Sequence, residues 1–389
     1  MILTRCPVCA VELPPLTAKQ CSRCKTRYCG PECQKTHWEG GHDKLCKKIR
    51  KGGGAEQYNA NKKYAEAVSI AAEACAEDTK GQTCYICTQA LHWKTKEGLV
   101  RGCSCRGTAG FAHVSCLAEQ AKILVAEADD NNLDQEDLSL RYLRWDECGL
   151  CEQRYHGVVA CALGWACWKT YLSRPERDWA RQSASRQLGA GLFHAKRYED
   201  ALLVYEAELS MIMRNREPLE QVLITQNNLA SAYQVLGREQ EALPMLRDVC
   251  YGTIMLKDGQ HERNAAAANN YASSLLNLER FEEAKALLRK TMPVAQHFLG
   301  NCNEITLYLR WSYAQSLRCA DGATLDDLRE AVTILEETAS NFRRVLGGAH
   351  PRMAELERAL RQSRAALHAR ESNIESFQNL VAAMTRGSA

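Results

Sequence analysis

Apolar residues recur at three- and four-residue spacing through most of residues 176–370. This spacing collects them on one face of a helix, so the segment is predicted to form a series of amphipathic helices. The sequence Asn-Asn-Leu-Ala at 227–230 returns as Asn-Asn-Tyr-Ala at 269–272 and as Trp-Ser-Tyr-Ala at 311–314. Each copy is followed by a turn and a second helical pattern. Such helix pairs cover their apolar faces only by stacking, which predicts an α-α solenoid.

A different pattern precedes the solenoid. Residues 156–172 (HGVVACALGWACWKTYL) carry apolar side chains on all sides, which is typical of a buried helix. We expect this helix to bridge the preceding segment to the solenoid. Residues 56–77 are rich in Ala and free of Pro and Gly, so they predict another helix, which follows the flexible break Gly52-Gly53-Gly54.

Composition narrows the class of protein. The 389 residues include 20 cysteines, and the formal net charge is only +3. The first residues form no apolar signal segment, and no apolar stretch approaches the ~20 residues of a membrane span. We therefore expect an intracellular protein, cytoplasmic or nuclear, without a membrane partner. In that environment clustered cysteines indicate metal sites rather than disulfides.

Four short pairs of cysteine or histidine ligands occupy the first 46 residues. The first two pairs are Cys-x2-Cys, which lets both sulfurs reach one metal at ~2.3 Å, and the later pairs place two ligands one helical turn apart. Such pairs interleave, so pairs one and three are predicted to hold one zinc ion and pairs two and four another. The predicted sets are Cys6, Cys9, Cys29 and Cys33 for one ion, and Cys21, Cys24, His42 and Cys46 for the other.

This ladder of ligands resembles the MYND zinc finger, in the eight ligand positions and in Tyr28, Gln34 and Trp38. The spacing from Trp38 to His42 is one residue longer than usual, so His37 is an alternative ligand to His42. The resemblance implies a module without chemistry of its own that binds short proline-containing peptides of partner proteins.

The segment is also basic, which we interpret as a solvated helix end. Nucleic acid, which would use such a patch, is not expected as a partner.

A second ladder lies between residues 84 and 151, in the order Cys-x2-Cys, Cys-x-Cys, His-x2-Cys and Cys-x2-Cys. It resembles the RING-CH variant of the RING finger, chiefly in the Cys-x-Cys followed by Arg106-Gly107. A PHD finger is the alternative with a similar ligand order. His92 is left over in the first loop, and we expect it at the surface. The implied sets are Cys84, Cys87, His113 and Cys116 for one zinc ion, and Cys103, Cys105, Cys148 and Cys151 for a fourth.

RING fingers dock a ubiquitin-conjugating enzyme loaded with ubiquitin and hold its thioester in a reactive pose, without a covalent bond to the finger. The resemblance implies that Ile86, between the first two ligands, belongs to the docking surface. Trp145 and Leu150, near the last pair, are the other candidates. The family often has a basic residue just after the last ligand, where this chain has Glu152. An active ubiquitin ligase and a RING-like fold kept as a scaffold therefore both stay open.

The helical pattern resembles tetratricopeptide repeats of the long, kinesin-light-chain-like kind. The segment LGGAHPRMAEL at 346–356 is similar to that family's inter-repeat segment. The resemblance implies a concave groove for an extended peptide or helix, in which inward-facing asparagines hold the peptide backbone. Asn228 and Asn270 match those positions, and packing between helices is their alternative role.

These patterns together predict a mostly α chain, with two small cross-brace zinc fingers followed by a tetratricopeptide-like solenoid. The predicted function is an intracellular RING-type ubiquitin ligase or adaptor, which recruits a ubiquitin-conjugating enzyme and selects partner peptides through the MYND finger and the repeats. The alternative is a non-catalytic interaction scaffold. The predicted segments are a MYND-type finger at 1–51, a helical linker at 52–80, a RING-CH-type finger at 81–157, a bridging helix at 158–175, repeats at 176–372 and a tail at 373–389.

Overall fold

Helices account for most of the chain. The computed structural model describes residues 3–14, 17–256, 261–346 and 351–386. The chain divides into two compact units, Met1–Leu236 and Gly237–Ala389. The boundary between the units falls inside the segment predicted as repeats.

The first unit opens with a small finger built on a two-stranded antiparallel sheet. Its elements are β1 (Lys19–Gln20), β2 (Arg27–Tyr28), α1 (Pro31–His37), a π-helical turn (Trp38–His42) and α2 (Asp43–Lys51). Tyr28 and Ile49 are buried in its core together with four of the cysteines. So short a segment has little other apolar material to bury, so its stability depends on the ligand groups.

Helices precede, interrupt and follow the second finger segment along the chain. They are α3 (Ala55–Ala74), α4 (Val114–Asp130), α5 (Gln135–Tyr142), a 3₁₀ turn (Leu143–Trp145), α6 (Gly157–Tyr171) and α7 (Trp179–His194). Helix α6 has apolar residues of its own on all sides, and it is buried along most of its length. It packs against α3, α4 and α7, which explains why no side of it is polar.

Two glycines let α6 and α7 approach closely. A Cβ on Gly191 of α7 would lie 2.5 Å from the carbonyl oxygen of Ala160, and a Cβ on Gly164 of α6 would lie 3.0 Å from the carbonyl oxygen of Gln187. No side chain fits the first of these spaces, so the close crossing of the two helices requires glycine at 191.

The first unit ends with α8 (Tyr198–Asn215) and α9 (Leu219–Val235). Glu208 of α8 is buried, and its carboxylate lies 3.3 Å from Arg186 Nε and accepts a hydrogen bond from the Thr225 hydroxyl. Burial raises the pKa of Glu208, and the Arg186 charge opposes that rise. The pair joins α7, α8 and α9 through one buried carboxylate, whose removal would leave polar partners unpaired.

The second unit consists of helices joined by short turns in its described residues. Its helices are α10 (Glu239–Met255), α11 (His261–Asn277), α12 (Phe281–Leu299), α13 (Glu304–Cys319), α14 (Leu325–Leu346) and α15 (Pro351–Arg386). Leu288, Leu307 and Phe342 are among the fully buried side chains of its core. The predicted amphipathic helix pairs and the tetratricopeptide-like fold are confirmed. Residues 347–350 of the predicted inter-repeat segment lie outside the described residues.

Ion pairing links two helices of the second unit. Lys285 Nζ of α12 lies 2.7 Å from the Asp327 carboxylate of α14, and both side chains are largely buried. Asp327 also accepts hydrogen bonds from the Thr324 hydroxyl and N–H, while its own N–H donates to the Thr324 hydroxyl. This reciprocal pair caps the first turn of α14.

In the described part of the chain, no helix is both long enough and apolar enough to cross a membrane.

Candidate zinc centres and the surfaces around them

Sixteen cysteine and histidine side chains gather into four groups of four. Within each group the ligand atoms all lie within 4.8 Å of one another. The structure thus forms the groups that interleaved pairing predicts in both ladders, with pairs one and three together and pairs two and four together. The groups are Cys6, Cys9, Cys29 and Cys33; Cys21, Cys24, His42 and Cys46; Cys84, Cys87, His113 and Cys116; and Cys103, Cys105, Cys148 and Cys151.

Each Cys-x2-Cys pair adopts the same backbone loop, which we call a knuckle. The first cysteine accepts, at its carbonyl oxygen, the N–H of the residue four positions later, and it donates its own N–H to the carbonyl oxygen five positions later. The residue that follows the second cysteine has a positive φ of 55–64°. The first cysteines of the four knuckles are Cys6, Cys21, Cys84 and Cys148, and the positive-φ residues are Ala10, Lys25, Thr88 and Glu152.

The knuckle turns both sulfurs of a pair inward and directs backbone N–H groups at the first sulfur. The N–H of Ile86 lies 3.4 Å from Cys84 Sγ, and the N–H of Leu150 lies 3.4 Å from Cys148 Sγ. Such donors stabilise a thiolate, which is the form of cysteine that binds metal. In the first group burial raises the pKa of Cys6, but backbone N–H groups outweigh it and lower that pKa to about 6.

Hydrogen bonds shared between the sulfurs of this group act in the opposite direction. Sharing of hydrogen bonds with Cys29 and Cys9 raises the pKa of Cys33 to about 12. Four thiolates at such short distances therefore do not all ionise together unless a cation balances their charge. A tetrahedral set of thiolates with or without one imidazole is the donor set that Zn²⁺ prefers.

His42 occupies the ligand position in the second group, and His37 does not. His42 is buried and its Nε2 lies 3.3 Å from Cys24 Sγ, whereas His37 Nδ1 lies 3.0 Å from the Tyr28 hydroxyl. The π-helical turn between α1 and α2 contains Gly41 at a φ of 108°. One extra residue in a helix is commonly accommodated as a π-helical turn. The longer Trp38–His42 spacing is absorbed in this way, and His42 keeps its place.

His113 joins the third group at the start of α4. Its Nδ1 lies 3.3 Å from Cys87 Sγ and 3.6 Å from Cys116 Sγ, while its Nε2 lies 3.4 Å from the carbonyl oxygen of Ala90. A carbonyl partner on the outer nitrogen fixes the ring and leaves Nδ1 as the metal-binding atom.

Gly110 makes room for the fourth group. Its φ is +84°, and a Cβ on it would lie 2.5 Å from Cys105 Cβ and 3.3 Å from Cys103 Sγ. The Cys-x-Cys pair therefore reaches its zinc position only because residue 110 has no side chain. This requirement was not recognised from the sequence.

The three candidate docking residues have different environments. Ile86 is 36% exposed and Leu150 is 53% exposed, each between the two cysteines of a knuckle, whereas Trp145 is fully buried. The prediction of Trp145 as a docking residue is therefore wrong. Its indole N–H lies 3.4 Å from the Tyr171 hydroxyl, and its ring packs edge-to-face on the Tyr171 ring. Trp145 anchors the 3₁₀ turn to α6 instead of facing solvent.

His92 also departs from expectation. It is only 8% exposed, and its Nδ1 accepts a hydrogen bond from the N–H of Thr95. Its ring packs edge-to-face on the ring of His113, with centroids 5.3 Å apart. The expected surface position is wrong, because this ring fills space beside the third ligand group.

The two candidate peptide-binding asparagines, Asn228 of α9 and Asn270 of α11, are both half-buried. Beside Asn270, the Asn269 side-chain oxygen lies 3.2 Å from the Ser312 hydroxyl of α13. Packing between helices therefore occupies the first asparagine of that pair, and the peptide-binding role of Asn228 and Asn270 stays a prediction.

Family models match three parts of the chain. The MYND finger model matches residues 6–46, the RING-variant domain model matches residues 84–130, and the tetratricopeptide repeat model matches residues 222–253 and 264–301. The chain carries a MYND finger, a RING-variant domain and tetratricopeptide repeats. The three resemblances are thereby confirmed, and the two fingers with their four ligand groups fit zinc at four sites. The RING-variant match ends before the last knuckle, which the structure nevertheless brings into the fourth group.

Two solved structures are similar to this chain at low sequence identity. A Podosopora anserina protein with nearly identical kinesin-light-chain TPR-like repeats is 17% identical, with a TM-score of 0.39 over 60% of this chain and 97% of that chain. BtubC (BKLC) from P. vanneervenii is 14% identical, with a TM-score of 0.40 over 70% of this chain and 92% of that chain. Among curated proteins, none matches the chain.

Proposed function

We propose that this protein is a RING-type ubiquitin ligase or adaptor. Its RING-variant finger docks a ubiquitin-conjugating enzyme, and its MYND finger and repeats bind peptide segments of partners or substrates. The three modules support an interaction protein with zinc fingers and tetratricopeptide repeats, and the docking of a conjugating enzyme is the step that the proposal adds.

The observation that carries the proposal is the exposure of Ile86 and Leu150. Each lies inside a knuckle, and its backbone is fixed by an N–H directed at a ligand sulfur. An exposed apolar side chain at this position contributes little to the finger's own core, so its value lies in binding a partner. Because the knuckles hold these side chains rigidly, a bound enzyme would be held in one orientation.

The proposed ligase activity depends only on how the finger orients the bound enzyme and its thioester. A RING-type ligase forms no covalent intermediate and accelerates ubiquitin transfer by holding the thioester in a reactive pose. Each ligand group supplies four protein ligands, which is the closed arrangement of a structural zinc site. Zinc would stabilise the fingers, and the conjugating enzyme would carry the reacting atoms.

A non-catalytic scaffold is the second candidate, and one specific observation favours it. Glu152, which follows the last ligand, is exposed and acidic where the family often has a basic residue. Arg154, two positions later, lies 3.2 Å from the Asp146 carboxylate, so its charge is already paired.

Autoubiquitination of the full chain with a panel of conjugating enzymes separates the candidates. We expect ubiquitin chains for the wild type and a loss of about tenfold or more in rate for Ile86→Ala, with zinc content unchanged. Ile70→Ala on α3 is a matched control, since Ile70 is exposed but lies outside the finger. Silence of the wild type with every enzyme of the panel would leave the scaffold as the function.

A further inference from the structure

The RING-variant finger contains a fifth knuckle, at residues 92–97. The N–H of His92 donates to the carbonyl oxygen of Glu97 at 3.0 Å, the N–H of Lys96 donates to the carbonyl oxygen of His92 at 2.9 Å, and Lys96 has a φ of 60°. In the knuckle that begins at Cys84 the same quantities are 3.0 Å, 2.8 Å and 61°. The two loops therefore have the same backbone, although only one of them contributes to a ligand group.

Hydrogen bonds close the fifth knuckle, whereas zinc would close the other four. His92 stands at the first ligand position and Thr95 at the second. The Thr95 hydroxyl lies 2.8 Å from His92 Nδ1 and 3.0 Å from the Glu97 carboxylate. These three side chains thus tie the ends of the loop together, so its shape does not depend on a metal ion of its own.

The same network attaches the loop to the rest of the finger. The Glu97 carboxylate accepts hydrogen bonds from the N–H of Ser115 at 2.7 Å and from the Ser115 hydroxyl at 2.8 Å, at the first turn of α4. The His92 ring packs on His113, which belongs to the third ligand group together with Cys87. The fifth knuckle is therefore fixed beside the knuckle that carries Ile86.

What this rigid loop presents to solvent is a tryptophan. Between its two ligand positions each knuckle exposes at least one residue, and in the fifth both Trp93 and Lys94 are exposed. Trp93 is 68% exposed, and its ring lies tilted beside the His92 ring, with 6.0 Å between centroids. An ordered loop that holds a tryptophan in water gains little for the fold from that side chain. Exposed tryptophans on rigid supports are typical of binding hot spots.

We propose that Trp93 is a further contact between the RING-variant finger and the ubiquitin-conjugating enzyme, beside Ile86. This inference rests on the proposed ligase function. Lys94 and Lys96 follow Trp93 in the loop, are exposed, and take part in no ion pair among the residues that the structure describes. The enzyme surface that meets this tip is therefore apolar with acidic side chains at its edge.

The test compares variants of the full chain in two assays, the discharge of a ubiquitin-loaded conjugating enzyme and the binding of the unloaded enzyme. Trp93→Ala is expected to lower both by about tenfold or more, and Trp93→Phe to retain most of the wild-type value. Leu140→Ala, which removes an exposed apolar side chain from α5, is expected to change neither. Zinc content and helical signal should stay at the wild-type level in all three variants, because both side chains are exposed.

Two outcomes overturn the inference, and they are distinguishable. If the wild type discharges the enzyme and Trp93→Ala does so equally well, Trp93 is not a contact and the ligase function stands. If the wild type neither binds nor discharges any enzyme of the panel, the ligase function fails and the inference fails with it. A Lys94→Glu, Lys96→Glu double variant tests the charge: weaker binding, with a smaller salt dependence, is expected, and unchanged binding contradicts the acidic edge.

Discussion

Gly110 lies so close to Cys105 that a Cβ on the glycine would stand 2.5 Å from the cysteine's Cβ and 2.9 Å from its Sγ. The glycine also has a φ of +84°. We expect Gly110→Ala to displace Cys105 and to lower the zinc content of the full chain from four ions to three. The measurement is zinc stoichiometry of purified protein. Gly107→Ala is the control, since Gly107 also has a positive φ but no atom within 4 Å of its Cβ position. Retention of four zinc ions by Gly110→Ala would show that the backbone near residue 110 can shift without loss of the zinc site.

The two neighbouring histidines of the MYND finger predict different losses. His42→Ala removes one ligand of the second group and leaves three thiolates at that site. This variant is expected to hold one zinc ion fewer per chain. His37→Ala removes the contact with the Tyr28 hydroxyl and the ring contacts with Tyr28 and His42, but no group ligand. We therefore expect four zinc ions and a loss of about 1 kcal/mol in the free energy of unfolding. Zinc stoichiometry and denaturant unfolding check both variants, and the reverse pattern would assign the site to His37.

The residue that follows the second cysteine of each knuckle has a positive φ, which predicts a stabilising substitution at Thr88. Thr88 is β-branched and has a φ of 61°, a conformation that costs a branched residue roughly 1–2 kcal/mol. Thr88→Gly is expected to raise the resistance of the RING-variant finger to zinc chelation, by about 1 kcal/mol. Chelator titration followed by loss of helical signal measures the effect. Thr83→Gly, at an exposed position one residue before the knuckle, should not increase resistance, and an equal gain there would refute the role of φ.

Asp327 predicts a pH dependence of the second unit. Hydrogen bonds from Lys285 first and from Thr324 next lower the pKa of Asp327 to about 2, from an ordinary value of 3.8. The folded pKa lies below the unfolded one, so the carboxylate stabilises the fold fully above about pH 5, and this contribution is lost as the pH falls through 3.8 toward 2.

Asp327→Asn is therefore expected to lower the free energy of unfolding by about 1–2 kcal/mol at pH 7, with the difference from wild type vanishing near pH 2. Urea unfolding over that pH range measures the difference. Asp326→Asn, at the exposed neighbouring position, should change stability by less than about 0.5 kcal/mol at every pH. A constant effect of Asp327→Asn at all pH values would contradict the ionic origin.

The spacing of the cysteine and histidine pairs was sufficient to predict the ligand groups, and the spacing of the apolar residues was sufficient to predict the helical repeat. A short pair such as Cys84–Cys87 can reach one metal only by a local turn, so its geometry is contained in its own few residues. The amphipathic period of α11 to α14 is local in the same sense. Chain order alone then determined which pairs combine, because the interleaved arrangement recurs in both fingers.

Environments created by distant residues could not be predicted in this way. Trp145 is buried because Tyr171, 26 residues later, packs on it. The fifth knuckle cannot be found from the positions of cysteines and histidines, because Thr95 takes one of its ligand positions. The π-helical turn at Gly41 was visible only as an irregular spacing.

The packing of helix α6 limits where genetic recombination could divide this chain. It packs on α3 and α4 of the finger side and on α7 of the repeat side, with side chains buried on every face. A module that can be exchanged between genes needs a boundary that few contacts cross, and the segment around α6 is not such a boundary. A recombination event that cut there would leave an uncovered apolar surface on both fragments. The RING-variant finger and the first helices of the solenoid are therefore expected to be transmitted together, as one evolutionary piece.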